Sequence, residues 1–217
     1  MIQIGQNGKV LVTDIEKLRS EFARQSCVLL PQLIEPSLLE HLRRQVATAR
    51  LVTKFEGDDN ERFGKVLFVP QTEPALFVFK LLMNNRRLFQ AIEEITQCLP
   101  IGNFFGRLHS SVPGGNHHIA WHGDNADHRL LGLTVDLSTA DYEGGVFQLR
   151  QKTSEAIICE VPRRQSGDAF VFRISPDLQH RLTVIESGGP RTVGVGWFRA
   201  QPDFGVFARR YFQFSRA

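Results

Sequence analysis

Cysteine is scarce in this chain: Cys27, Cys98 and Cys159 are the only three in 217 residues, and no two stand in a Cys-x-x-Cys pair. An odd, sparse set excludes a disulfide framework and a thiolate-rich zinc site, and it points to a reducing cytoplasm. A run of about 18 apolar residues is also missing, which excludes a membrane-spanning helix. The opening stretch MIQIGQNGKVLV lacks a basic start, a long apolar middle and a small-residue cleavage site, so no secretory signal is expected. Charge of one sign is not in excess either, with 26 Lys and Arg against 23 Asp and Glu. That mild balance falls short of the clustered basic patch of a dedicated nucleic-acid binder. Arg199, Arg209, Arg210 and Arg216 read as a solvated basic face. Internal repeats, low-complexity tracts and a second-domain boundary are absent as well.

What is present divides into two textures. Up to about residue 100 the signals are mostly helical. Thr13 and Glu16 have capping-box spacing, and Ile15, Leu18 and Phe22 follow at helical intervals. Residues 27–30 form a short apolar run that reads as a strand. Pro36 sits at a helix start, followed by Leu38, Leu39, Leu42, Val46 and Ala49 on one face. Residues 54–65 (KFEGDDNERFGK) are polar and read as a loop. A further helical region spans 74–98, with a break at Asn84–Asn85. After Pro100, short runs rich in Val, Ile, Leu, Phe and Thr recur at 104–112, 130–137, 146–149, 156–161, 169–172, 182–185 and 192–198, punctuated by glycine. Many short strands with regular turns predict a mainly β fold with flanking helices, in which a double-stranded β-helix (jelly-roll) core rests on N-terminal helices.

Histidine carries the chemistry. His109, His117, His118, His122 and His128 crowd into twenty residues, and His180 stands alone further on. A histidine cluster by itself is weak evidence, because histidines also cap turns and fill cores. His122-Gly123-Asp124 is sharper. In an extended strand, residues i and i+2 share a face, so one imidazole and one carboxylate can aim at a common point. His180 comes 56 positions after Asp124, about the distance that four or five short strands need to return beside it. Two histidines and one carboxylate on one face of an octahedron leave the open positions that O₂ chemistry at non-haem Fe(II) needs. A structural zinc site would be closed. His117 and His118 read as loop residues, His128 as a turn residue and His41 as an exposed helical residue, while Trp121 suits packing as well as substrate stacking.

Eleven residues past His180, Arg191 opens a strand of Val and Gly. A buried guanidinium beside a metal site needs an anionic partner, and a bidentate carboxylate matches its fork best.

Taken together, Gly114-Gly115, His122-x-Asp124, the Tyr-Glu-Gly-Gly entry at Tyr142, Gly167-Asp168-Ala169-Phe170, His180, and Arg191 leading to Trp197-Phe198 resemble the 2-oxoglutarate- and Fe(II)-dependent dioxygenase superfamily. The likeness is greatest to its prolyl-4-hydroxylase-like branch. It covers roughly residues 104–199. The resemblance implies His122, Asp124 and His180 as iron ligands and Arg191 as the holder of the distal carboxylate of 2-oxoglutarate, with no catalytic residue beyond the metal ligands. Where many relatives place a tyrosine before the Gly-Gly turn, this chain has Ser111. His109, on the same strand face as Arg107 and Ser111, is the candidate for the second cosubstrate anchor. The stretch from Gly115 to His122 is about two residues longer than in prolyl hydroxylases, and the arginine stands at a different offset from that family's lysine.

On this reading residues 1–217 make one oxygenase domain. Residues 1–100 supply mostly helical support and strands, 101–200 the catalytic jelly-roll core, and 201–217 a C-terminal extension. The expected chemistry is oxidative decarboxylation of 2-oxoglutarate coupled to hydroxylation of a small-molecule or peptide substrate. Fe(II), 2-oxoglutarate and O₂ are required, and ascorbate is an optional stimulant. Neither nucleic acid nor membrane is an expected partner. A cupin-like, non-oxidative metal enzyme or a jelly-roll ligand-binding module would use the same fold without that cosubstrate. The 54–65 segment, the 117–119 loop and the residues after Phe198 are expected to frame the entrance.

Overall fold

The computed structural model describes residues 1–57, 62–126 and 128–200, and only the backbone at residues 62 and 63. In chain order the elements are β1 (Ile2–Ile4), β2 (Val10–Val12), α1 (Ile15–Gln25), β3 (Cys27–Leu30), α2 (Pro36–Ala47), β4 (Val52–Gly57), β5 (Arg62–Phe68), α3 (Pro74–Met83) and α4 (Arg86–Thr96). There follow β6 (Ile101–Ser111), β7 (His118–His122), β8 (Arg129–Asp136), β9 (Tyr142–Gly144), β10 (Phe147–Gln151), β11 (Ile157–Val161), β12 (Ala169–Arg173), β13 (Leu178–Leu182), β14 (Ile185–Gly188) and β15 (Arg191–Ala200). The expected mainly β jelly roll with flanking helices is the fold observed.

Local chemistry explains most boundaries. Pro36 and Pro74 sit at the first turn of α2 and α3, where a missing N–H costs nothing. Asn85 separates α3 from α4, its side chain accepting from the backbone N–H groups of Arg87 and Leu88. The capping box at Thr13 does not form. Asp14 is the residue before α1, in the left-handed region at φ 56°, with no side-chain cap, because the Thr13 hydroxyl turns to the Asp14 carboxylate instead.

One large sheet organises the molecule in the order β11-β10-β13-β7-β5-β6-β15-β8-β12-β3, with β4 on β5. Its strand pairs are antiparallel. The sheet therefore draws on strands that precede residue 101. Two arms of what the polar texture of 54–65 suggested was a loop are strands: Val52 pairs with Phe68 and Lys54 with Val66. The tip of that segment, 58–61, lies outside the described residues, as does the 201–217 extension. A second correction concerns 182–185. The strand ends at Leu182 and a new one starts at Ile185, because Thr183 turns out to bond the Val146 backbone.

Helices cover one face of the sheet. Phe79 of α3 packs edge-on against Phe104, ring centroids 5.8 Å apart, and Phe104 contacts Phe198. This large core holds the side of β6, β8 and β15 away from the cavity. A smaller cluster inside the roll contains Phe147, Leu149, Phe170, Phe172 and Leu178. There Gly132 is demanded by space, since a Cβ would come within 2.1 Å of the Phe172 ring. Gly132→Ala is expected to cost about 1–3 kcal/mol through overpacking, read as a lower thermal midpoint. A midpoint equal to wild type would show that Phe172 is free to shift.

Candidate metal centre

His122 ends β7, and its Cα is paired across the sheet with that of His180 on β13. This register places the two imidazoles side by side, ring centroids 4.2 Å apart. Asp124 lies in the turn after β7, not on the strand that the i, i+2 argument assumed. A tight turn brings its carboxylate back: Ala126 N–H donates to the Asp124 carbonyl at 2.7 Å, and Arg129 N–H to Ala126 at 3.0 Å. Asp124 Oδ1 is then 3.9 Å from His122 Nε2, and Oδ2 is 3.5 Å from His180 Nε2. One ligand atom from each of the three falls within 4.8 Å of the other two, so the group can hold a metal ion.

Surrounding groups orient these side chains. His122 Nδ1 lies 2.9 Å from the Ala120 carbonyl, which fixes the tautomer with Nδ1 protonated and leaves Nε2 as the lone-pair donor. Asp124 is gripped from two sides: the Trp197 indole donates to Oδ2 at 2.6 Å, and Arg129 Nη1 donates to Oδ1 at 3.0 Å. Arg129 in turn stacks on Trp197, 4.0 Å from the ring centroid. Phe172 and Phe147 pack against His180, with centroids 4.7 and 5.7 Å away.

These residues line a cavity of about 600 Å³, together with Arg107, His109, Ser111, Thr134, Val193 and Arg191. Arg107, His109 and Ser111 share one face of β6, as their spacing suggested. Arg107 Nη1 reaches both oxygens of Glu56, at 3.1 and 3.0 Å. Arg191, 7% exposed, opens β15 opposite Ser111. Its Nε and the His109 Nε2 are buried without hydrogen-bond partners. Buried polar atoms of this kind are rare and mark places where a ligand is expected. Among the described residues no carboxylate forms an ion pair with Arg191.

Sequence reasoning missed Arg129, Trp197 in its contact with Asp124, and the Glu56–Arg107 pair. Their signals are long-range, apart from an arginine five residues after Asp124. The remaining histidines take other parts. His117 is buried, and its Nδ1 accepts from Val112 N–H at 3.0 Å, so it staples the turn before β7. His118 lies on β7 rather than in a loop. His41 and His128 are exposed. Trp121 stands between Arg150 and Arg181, whose guanidinium carbons are 4.2 and 4.6 Å from its ring centroid.

Burial pushes His109 down to about 3, with Arg107, Arg191 and Lys54 adding to the effect. It pushes His180 down to about 3 as well, helped by His122 and opposed by Asp124. Both rings are neutral near pH 7, the form in which histidine binds a metal or presents one N–H. The unfolded chain takes up these protons near pH 6.5, the folded protein only near 3. Stability of the metal-free protein is therefore complete above pH 6.5 and falls as pH drops through that window, by about 1.4 kcal/mol per unit for each histidine. His109→Asn should flatten the pH dependence of the urea midpoint between pH 6.5 and 5. An unchanged slope would contradict a neutral, buried His109.

No family model matches the sequence, and no curated protein matches it. Solved structures do. An oxidoreductase of the 2OG-Fe(II) oxygenase family from Burkholderia pseudomallei superimposes with a TM-score of 0.65 at 11% identity, covering 93% of this chain and 99% of that one. A prolyl-4-hydroxylase from Pseudomonas putida gives 0.61 at 18% identity, over 87% and 100% of the two chains. The epimerase SnoN, in complex with Fe3+, alpha ketoglutarate and nogalamycin RO, gives 0.59 at 13%, over 86% and 83%. The chain thus has the fold of 2OG-Fe(II) oxygenases, prolyl-4-hydroxylases included. No helix among the described residues is long and apolar enough to cross a membrane.

Proposed function

We propose that this chain is a 2-oxoglutarate- and Fe(II)-dependent dioxygenase that hydroxylates a small molecule or a peptidyl residue. The observation that carries this reading is a single cavity holding both a His122–Asp124–His180 ligand set and a buried Arg191 that, among the described residues, forms no ion pair with a carboxylate. Two imidazoles and a carboxylate suit iron with positions left open. The orphaned atoms of Arg191 and His109 suit the far end of a dicarboxylate cosubstrate, and its 2-oxo acid end belongs at the metal. When bound, iron and 2-oxoglutarate supply the oxidising power.

The chain's own residues do the rest. His122, Asp124 and His180 hold the metal, while Trp197 and Arg129 keep the Asp124 carboxylate aimed. Arg191 and His109 orient the cosubstrate. Val193, Phe147 and Phe172 give the cavity apolar walls that exclude water. A cytoplasmic location fits three free cysteines.

Succinate formation is the direct check. Purified protein with Fe(II), ascorbate and 2-oxoglutarate should release succinate, slowly without substrate and faster with it. Iron-loaded protein that consumes no 2-oxoglutarate under any condition would favour a non-oxidative metal enzyme of the same fold.

A further inference from the structure

Arg191 reaches its cavity on a flexible stem, and a bidentate grip on a carboxylate needs the guanidinium held in one orientation. Free rotamers there cost affinity each time a ligand binds. The groups packed behind Arg191 supply that constraint.

Asp136 ends β8 and is paired in register with Val193, two residues along from Arg191. Its carboxylate is buried, with Oδ1 accepting from Ser138 N–H at 2.8 Å and Oδ2 accepting from the Tyr142 hydroxyl at 2.9 Å. Ser138 Oγ in turn accepts from Thr192 N–H at 3.1 Å, so the Asp136 turn is sewn to the residue next to the arginine. Tyr142 is buried on β9, and it lines one small void together with Asp136, Gly145 and Arg191. A phenol has one proton. Because Tyr142 spends it on Asp136, its oxygen can only accept from a further group, and a guanidinium N–H is a suitable donor. The bond that is fixed is the one from Tyr142 to Asp136, which holds the phenol in place behind Arg191.

Space confines Arg191 directly. Gly145, at φ +61°, leaves room that a Cβ would fill, 3.0 Å from Arg191 Cδ and 3.2 Å from the Tyr142 ring. A void of about 10 Å³ is all that remains among Asp136, Tyr142, Gly145 and Arg191, too little for the guanidinium to swing back. Asp136 also places a buried negative charge one residue removed from the arginine. It offsets part of the cost of burying a cation without occupying the donors that face the cavity.

We infer that Tyr142, held by Asp136, is a positioning residue that aims Arg191 at the distal carboxylate of the cosubstrate. This rests on the 2-oxoglutarate reading above. The Tyr-Glu-Gly-Gly segment then has a role in cosubstrate selection, with the tyrosine as the rest and the second glycine as the clearance.

Two probes separate positioning from mere structural support. 2-Oxoglutarate and 2-oxopentanoate share a five-carbon 2-oxo acid, but the second ends in a methyl group where the first has a carboxylate. Binding of each is measured by calorimetry on protein loaded with Zn(II), which permits no turnover, for wild type, Tyr142→Phe, Asp136→Asn and Arg191→Ala. Metal content and thermal midpoint are checked for every variant. Wild type should prefer 2-oxoglutarate strongly. Tyr142→Phe should weaken 2-oxoglutarate about tenfold or more, the worth of a hydrogen bond to a charged group, while 2-oxopentanoate binding stays as in wild type. Asp136→Asn should move the same way and carries the comparison alone if the phenylalanine variant does not fold. Equal weakening of both probes would mean a structural role only, and unchanged preference would mean that Arg191 aims itself; either overturns the inference. Wild-type protein that binds the two probes equally, or neither, would contradict the cosubstrate reading itself.

Discussion

Replacing His180 by alanine should lower Fe(II) affinity by more than about a hundredfold while leaving the chain folded. Loss of a residue that merely orients a ligand typically costs 10–100-fold in metal affinity, and loss of a ligand costs more. The two remaining donors, His122 and Asp124, cannot form a three-point face. No other histidine stands in: His117 is committed to the Val112 backbone, and His109 belongs to β6. The fold should survive because the β13 backbone pairs with β10 and β7 whatever side chain it carries at 180. The lost ring does open space beside Phe172 and Phe147, so a modest drop in thermal midpoint is expected. Equilibrium dialysis against a competing chelator measures the effect. Iron occupancy equal to wild type would remove His180 from the ligand set, while His117→Ala should keep its iron.

Arg191→Ala should do the opposite: iron binding stays near wild type, and the 2-oxoglutarate requirement rises about 30- to 4000-fold. Truncating one partner of a buried, hydrogen-bonded charge pair costs about 2–5 kcal/mol, and each 1.4 kcal/mol is a factor of ten. The variant leaves the distal carboxylate without its bidentate cation, in a part of the cavity lined by Val193 and the neutral groups His109, Ser111 and Thr134. Lysine at 191 should recover only part of the loss, since an ammonium restores charge without the planar fork. Succinate formation against 2-oxoglutarate concentration gives the shift. A rise in the iron requirement instead would mean that Arg191 supports the metal centre, not the cosubstrate.

Local signals made much of the fold legible. Pro36, Pro74 and Asn84–Asn85 mark helix boundaries by backbone chemistry alone, and glycine turns separate the β-rich runs after residue 100. Failures came where distant partners decide. Lys54 and Glu56 look like loop residues by composition, yet their strand is stabilised by β5, and Glu56 finds its partner 51 positions away in Arg107. Thr13 lost its capping role to a neighbour's carboxylate that propensity does not weigh.

The candidate site shows the same division. His122, Asp124, His180 and Arg191 stand out because residue type, order and spacing all carry information about ligand chemistry. The groups that aim them do not. Trp197 reaches Asp124 across 73 positions, and Tyr142 reaches Asp136 through a turn whose geometry no composition reveals. Asp124 reaches the site through a turn and not through the strand alternation that His122-x-Asp124 suggested.

Crystals of the protein grown without oxygen in the presence of Fe(II) and 2-oxoglutarate, measured at the iron absorption edge, test the central claim most directly. One anomalous peak per chain is predicted, within bonding distance of His122, Asp124 and His180, with the cosubstrate's far carboxylate on Arg191. A peak elsewhere, or none at those three side chains in protein that analysis shows to carry one iron, would contradict it.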